Sequence, residues 1–380
     1  MLNQNASFWG PNGLLCTFRG CLIRFSSLTL LVIGAFLAAI SHPHSAHACP
    51  VCVTLPNASL ADHLIGAEII VLAAPSAENP FSFAPVKLIK GTQQRLERAP
   101  EIPFLIDSTT RAAFRTDPQM RILFTYGAVE KDGAGRSFSR SWKRIFTLTP
   151  EREKFLESLE TAAKIWQPND VNSPERAAFF IHHITSDDPV LRDTALIEMD
   201  RAPYSVVRSL RPRVPKDQLL NEFRNIYRIS FVPVSIRLLG LQTGDAEAVS
   251  VVRSRYPRAL RSSGGYVYEW ALAGIEVDRS HAVEAIDNAL KMKNRNLESK
   301  RYLIRALADG GTALPSLRDQ IVEVFSTELN SSGDLALDIA IAARNWNFAE
   351  LDDQLLAILE NEGTDPVTRF VIETNISSNQ

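Results

Sequence analysis

Cysteine is scarce in this sequence of 380 residues: there are four, at positions 16, 21, 49 and 52. Only Cys49 and Cys52 lie beyond the first 48 residues. In an oxidising compartment they can pair only with each other, with another molecule or with a metal. Catalytic signatures are missing as well. There is no nucleophile elbow, phosphate loop, dinucleotide fingerprint or zincin helix. The stretch Asp132-Gly133-Ala134-Gly135 lacks a third glycine in a strand-to-helix context and reads as a hairpin turn. Histidine is sparse too, with His63, His182, His183 and His281 the only ones after position 48. His182 and His183 fall in an expected helix, where neighbours point about 100° apart and do not readily share a metal. Charge of one sign is not in excess: 41 Lys and Arg face 43 Asp and Glu, a net of -2. That balance gives no general drive toward nucleic acid.

Acidic residues are wholly absent from the first 48 positions, which hold Arg19, Arg24 and then an apolar run over 28–40. Thirteen residues are too few for a membrane span, which needs about 20. A basic region, a short apolar core and the small residues Ala46 and Ala48 are the three parts of a signal peptide, expected over 1–48. Cleavage after Ala48 would make Cys49 the first residue of an exported, periplasmic or extracellular chain. Membrane attachment is expected only if the leader is uncleaved or Cys49 is lipidated. Ala48 suits a lipoprotein signal, whereas Ala46 and His47 do not.

The rest divides by periodicity. Between 68 and 149 the apolar residues come in short runs bounded by Pro, Gly and Asp. The segments 68–74, 81–90, 102–107, 120–126 and 138–148 read as five strands, after a short helix over 60–66 capped by Ser59. Five strands in so short a stretch suit a small barrel of the oligonucleotide/oligosaccharide-binding (OB) type, or a sandwich. The β domain is therefore placed at 49–150. At Thr149-Pro150-Glu151 the period changes to that of a helix, which leads into a linker at 167–170, so that 151–172 joins two domains. From Ser173 to 380 helix follows helix. Expected pairs are 232–242 with 245–256, 266–276 with 279–292, 297–309 with 315–329, and 335–345 with 348–361. Pairs recurring every 30 to 40 residues read as stacked HEAT-like repeats, the alternative being an irregular all-helical domain.

Charge is uneven along the helical part. Residues 201–261 carry 12 basic and 4 acidic side chains, residues 311–380 carry 3 and 12. The bland reading is solvated outer faces. The sharper one is an anion-binding surface, for which the candidates are Arg208, Arg211 and Arg213, followed by Arg253, Arg255, Arg258 and Arg261.

The pair Cys49-Pro50-Val51-Cys52 could be a redox couple, half of a metal site or a small structural disulfide. No helix of an α/β domain follows it, as a thioredoxin-like site needs. No His follows Cys52, as c-type haem attachment needs, and no second C-x-x-C completes a zinc site. A disulfide is the first reading, with transition-metal or thiol chemistry at Cys49 and Cys52 the second; no other cofactor is expected.

With leader, cysteine pair, short helix, strands and helical repeats in place, two resemblances emerge. Residues 49–148 resemble the netrin-like domain shared with tissue inhibitors of metalloproteinases. The likeness rests on the N-terminal cysteine, the helix, the five strands and the segment 83–91 ending in Leu88-Ile89-Lys90-Gly91. It implies an OB-type barrel. In the inhibitors the first cysteine's amine and carbonyl chelate the protease zinc, a role that would fall on Cys49; those proteins, however, carry C-x-C with long-range disulfides. The chain after the leader is also similar to uncharacterised exported bacterial proteins of planctomycete type. The segments carrying that likeness are Cys49-Pro50-Val51-Cys52, Asp187-Asp188-Pro189, Ala202-Pro203-Tyr204 and Arg237-Leu238-Leu239-Gly240-Leu241. This resemblance implies the two-domain architecture and no activity.

The expectation is an exported, non-enzymatic binding or scaffold protein: a five-stranded netrin-like barrel followed by a HEAT-like solenoid. Its expected partner is a protein or an anionic polymer of the cell envelope, not nucleic acid. The alternative is thiol-redox or metal handling through Cys49 and Cys52.

Overall fold

The computed structural model describes residues 55–127, 140–166, 170–262, 264–346, 349–360 and 363–379. The leader, Cys49, Cys52, the turn at 132–135 and most of the expected linker lie outside the described residues.

The described chain starts at a reciprocal cap. Ser59 Oγ accepts from the Asp62 amide at 3.2 Å while Asp62 accepts from the Ser59 amide at 3.0 Å, opening α1 (Leu60–Gly66). Such a box satisfies two helix-end donors at once. The chain runs on into β1 (Ala67–Pro75), β2 (Phe83–Lys90), β3 (Ile122–Gly127) and β4 (Ser141–Thr147). These form one antiparallel sheet in the order β2-β1-β3-β4. β1 is central, with Ile70 opposite Lys90 on one side and Val71 opposite Phe124 on the other. Successive side chains alternate between faces. Ile70, Leu72, Leu123 and Phe146 point into a core shared with the helices, whereas Ile69, Val71, Ile122 and Phe124 fill a second core with Phe83, Ile102 and Phe114. Burial on both faces explains why β1 reads as one continuous apolar run.

Four strands are present among the described residues where five were expected. The segment 102–107 joins the sheet only through a Ser82–Leu105 bridge and the Ile106 amide on the Phe81 carbonyl at 2.8 Å. Pro100 and Pro103 remove the donors that a ladder would need. Ile102 and Ile106 are nonetheless buried in the second core, whereas Leu105 is exposed. Two short helices, α2 (Gln93–Arg98) and α3 (Ser108–Thr116), were not expected. Thr92 and Asp107 cap them.

Thr149 caps α4 (Pro150–Ala162), with Pro150 in its first turn as expected. Phe155 and Leu159 of α4 and then Trp166 are buried in the core that reaches the sheet. Trp166 packs on Phe179 at 5.4 Å, in α5 (Pro174–Ile181). Helix α6 (Pro189–Arg201) follows, capped by Asp188. Asp188 also accepts from Arg152 of α4 at 2.8 Å. At the centre of this seam Arg176 is 1% exposed. It donates to Asp62 at 2.7 Å and to Glu198 at 2.8 Å, while Arg201 reaches the same two carboxylates. Two guanidinium groups and two carboxylates thus tie α1, α5 and α6 together through a buried, neutral node. The core therefore continues without a break across the junction drawn at 151–172.

Helices α7 (Tyr204–Ser209), α8 (Lys216–Glu222), α9 (Val232–Gly240), α10 (Ala246–Arg261), α11 (Val267–Asp278) and α12 (Ser280–Leu290) come next. After them lie α13 (Leu297–Ala313), α14 (Arg318–Ser331), α15 (Ala336–Trp346), α16 (Asp352–Leu359) and α17 (Pro366–Asn379). Alternate helices pack together: α9, α11, α13, α15 and α17 form one layer, and α10, α12, α14 and α16 the other. This is a double row of helix hairpins. The first layer is tight enough that a Cβ on Gly240 would lie 2.7 Å from Ala273 Cα, so only glycine lets α9 and α11 approach so closely.

Candidate anion-binding cleft

Three successive helix corners meet beside α7: residues 210–215 after α7, 241–245 after α9, and 276–279 at the end of α11. They enclose a cleft of about 720 Å³. Each corner contributes through its backbone. Arg211 stands at φ 50° and Arg279 at φ 52°, left-handed conformations uncommon for a residue with a Cβ. Arg279 alone separates α11 from α12, its amide closing on the Ile275 carbonyl at 3.1 Å. The segment Arg211-Pro212-Arg213-Val214 belongs to no helix or strand, with Pro212 and Val214 buried and Arg211 and Arg213 exposed. Gln242 pins it, accepting from the Val214 amide at 3.2 Å and donating to the Pro212 carbonyl at 3.0 Å.

Glu276 is the hub. It is 3% exposed and accepts from the Tyr204 hydroxyl at 3.0 Å, Arg208 Nε at 2.6 Å and Arg279 Nη1 at 3.1 Å. Burial, with Glu276 beside it, raises the Tyr204 hydroxyl well above its ordinary pKa, so it stays a donor. One carboxylate thus orients two guanidinium groups. Arg211 and Arg213 reach solvent on the same wall. Counting Asp245, four arginines face two carboxylates in the lining. Guanidinium forks match carboxylate and phosphate oxygens two at a time, and groups held in place lose little freedom on binding. The lining holds no His or Cys, and its charged groups are these four arginines and two carboxylates.

Of the arginines expected to form one surface, Arg208, Arg211 and Arg213 share this cleft. The others lie on α10. Arg253 pairs with Asp278 at 2.7 Å, and Arg255 stands over Phe223 and Trp270 at 5.4 and 5.9 Å. Arg258 and Arg261 are exposed in the last turn of α10, where positive charge complements the helix dipole. Arg279 and Glu276 were missed, because they fall outside the basic stretch and no glycine marks the corner. Tyr204 lies in Ala202-Pro203-Tyr204, one of the segments quoted above, and anchors Glu276.

His182 is exposed. His183 is half-buried against Phe155 at 5.2 Å; burial and then the charge of His182 hold its imidazole below the usual value. Among the described residues no three His, Asp or Glu side chains gather to hold a metal, and no helix is long and apolar enough to cross a membrane. Comparison with known proteins finds no matching family model, curated protein or solved structure.

Proposed function

We propose that this chain is an exported, non-enzymatic binding protein. In this reading an OB-type, netrin-like β domain leads into a HEAT-like solenoid, and the arginine cleft grips an anionic partner, either an acidic envelope polymer or an acidic protein surface. The observation that carries it is the buried Glu276 holding Arg208 and Arg279 beside the unpaired Arg211 and Arg213. A structural ion pair would need one arginine for one carboxylate; here the excess is positive and faces solvent. Export and a Cys49–Cys52 disulfide belong to the same reading. Thiol or metal handling at that pair is the alternative, decided by metal content and free-thiol count.

The test is binding of the full chain to polygalacturonate and to poly-glutamate across a salt series. Binding should weaken with salt, because exposed charge pairs are screened. An Arg211→Ala/Arg213→Ala variant should bind roughly tenfold more weakly, the scale of losing charge-assisted hydrogen bonds. Wild-type affinity in that variant would sink the reading.

A further inference from the structure

A second cleft, of about 550 Å³, opens between the sheet and α4. Its floor is apolar: Ile70 and Leu72 of β1, Leu64 and Ile65 at the end of α1, and Leu156 and Leu159 of α4. Ile65, Ile89, Leu148 and Leu156 are only half-buried, so aliphatic surface on facing walls is left wet. Each Å² of such surface costs about 25 cal/mol to leave in water. Volume and lining match small-molecule sites, which run to several hundred Å³ and are mostly apolar with a few placed polar groups.

The placed polar group is Lys90. Its ammonium donates to the Ile65 carbonyl at 2.7 Å and reaches the Leu64 carbonyl at 3.5 Å, at the C-terminus of α1. Two of its three donors are thereby aimed at the backbone, and the third is left for a ligand. Burial pulls its pKa down, with Glu160 acting the other way. Lys87 and Lys164 add positive charge to the rim. Glu153, Glu157 and Glu160 stand on α4 across the cleft, all exposed. Lys90 is exposed as well, but its bond to the Ile65 carbonyl holds the ammonium in place, whereas among the described residues no hydrogen bond fixes the three carboxylates. An added peptide strand is a poor occupant, since β2 carries Pro85 and two lysines, features that blunt an edge against strand pairing.

We propose that this cleft binds a medium-chain aliphatic carboxylate, its chain between β1 and α4 and its head on the Lys90 ammonium. The site is separate from the arginine cleft and does not depend on it.

The experiment is calorimetric titration of the full chain with decanoate below its micelle-forming concentration, with decylammonium as the opposite head group. Decanoate should bind saturably at one site. Leu156→Trp, which fills the cleft, should abolish binding, and Lys90→Gln should weaken it roughly tenfold. The Arg211→Ala/Arg213→Ala variant should bind decanoate as wild type does, which keeps failure here distinct from failure of the arginine cleft. Absence of saturable decanoate binding, or decylammonium binding as tightly, would overturn the proposal. So would wild-type affinity in a folded Leu156→Trp; should that variant not fold, Lys90→Gln and the head-group comparison decide.

Discussion

Two arginine clusters in this chain use one side chain for opposite ends. Around Arg176, two guanidinium groups meet two buried carboxylates with only Arg201 touching water, every charge is answered, and three helices converge. Around Glu276, four arginines line an open cleft with two carboxylates, and Arg211 and Arg213 have no acidic partner among the described residues. Removing a partner from a buried cluster strands a charge in a medium that cannot solvate it. An exposed arginine has water to fall back on, so its charge is free to meet a ligand. The difference lies in solvent access and stoichiometry, not in residue type.

The comparison can be broken most sharply at Arg176. Replacing it with Ala leaves two buried carboxylates facing the single guanidinium of Arg201 and should cost about 3–5 kcal/mol in a urea melt. A loss below about 1 kcal/mol would mean that the node is not structural. Leu303→Ala supplies an apolar yardstick: Leu303 is fully buried in α13, and the cavity should cost about 2–5 kcal/mol, wherever the stack can relax least.

Asp188 lies between the extremes, capping α6 and pairing with Arg152. Burial alone would push its carboxyl up, but Arg152 and the Leu191 and Val190 amides outweigh that and hold it below the usual carboxylate range. A depressed folded-state pKa stabilises fully above the unfolded value of about 4 and is lost as pH falls through the lower folded value. Asp188→Ala should therefore cost about 1–2 kcal/mol at neutral pH. Melts of the two proteins should converge as the pH drops below the unfolded carboxylate value, and a gap independent of pH would refute the charge-based account. The smallest effect is expected at the open cluster. Arg211→Ala/Arg213→Ala should change stability by no more than about 0.5 kcal/mol while weakening polyanion binding. A large loss of stability there would erase the distinction between the clusters.

Much of the helical part was legible because its signals are local. The expected pairs from 232 to 361 fall on α9 through α16, displaced by a few residues at their ends. Thr149, Ser173 and Asp188 cap the helices that follow them with their own side chains, a signal of neighbouring residues only. The β region misled where two signals competed. The apolar pattern of 102–107 marked the buried Ile102 and Ile106 but also took in the exposed Leu105, and it did not weigh Pro103, which forbids the ladder. α2 and α3 escaped notice because each is short and buries little, their caps being the only signal. Of the cleft, the basic stretch pointed to Arg208, Arg211 and Arg213. It also swept in the arginines of α10, since position in sequence does not say which corner a side chain faces.

In the helical part segment identity was thus settled by the sequence, because capping, proline geometry and apolar period act over at most a few residues. Tertiary structure alone decided which charges meet. Arg176 finds Asp62 from 114 positions away, and Arg208 finds Glu276 from 68. Those distances close only when helices stack and their corners converge. The left-handed turn that places Arg279 has no local marker, for nothing in Asp278-Arg279-Ser280 favours it apart from the packing of α11 against α12.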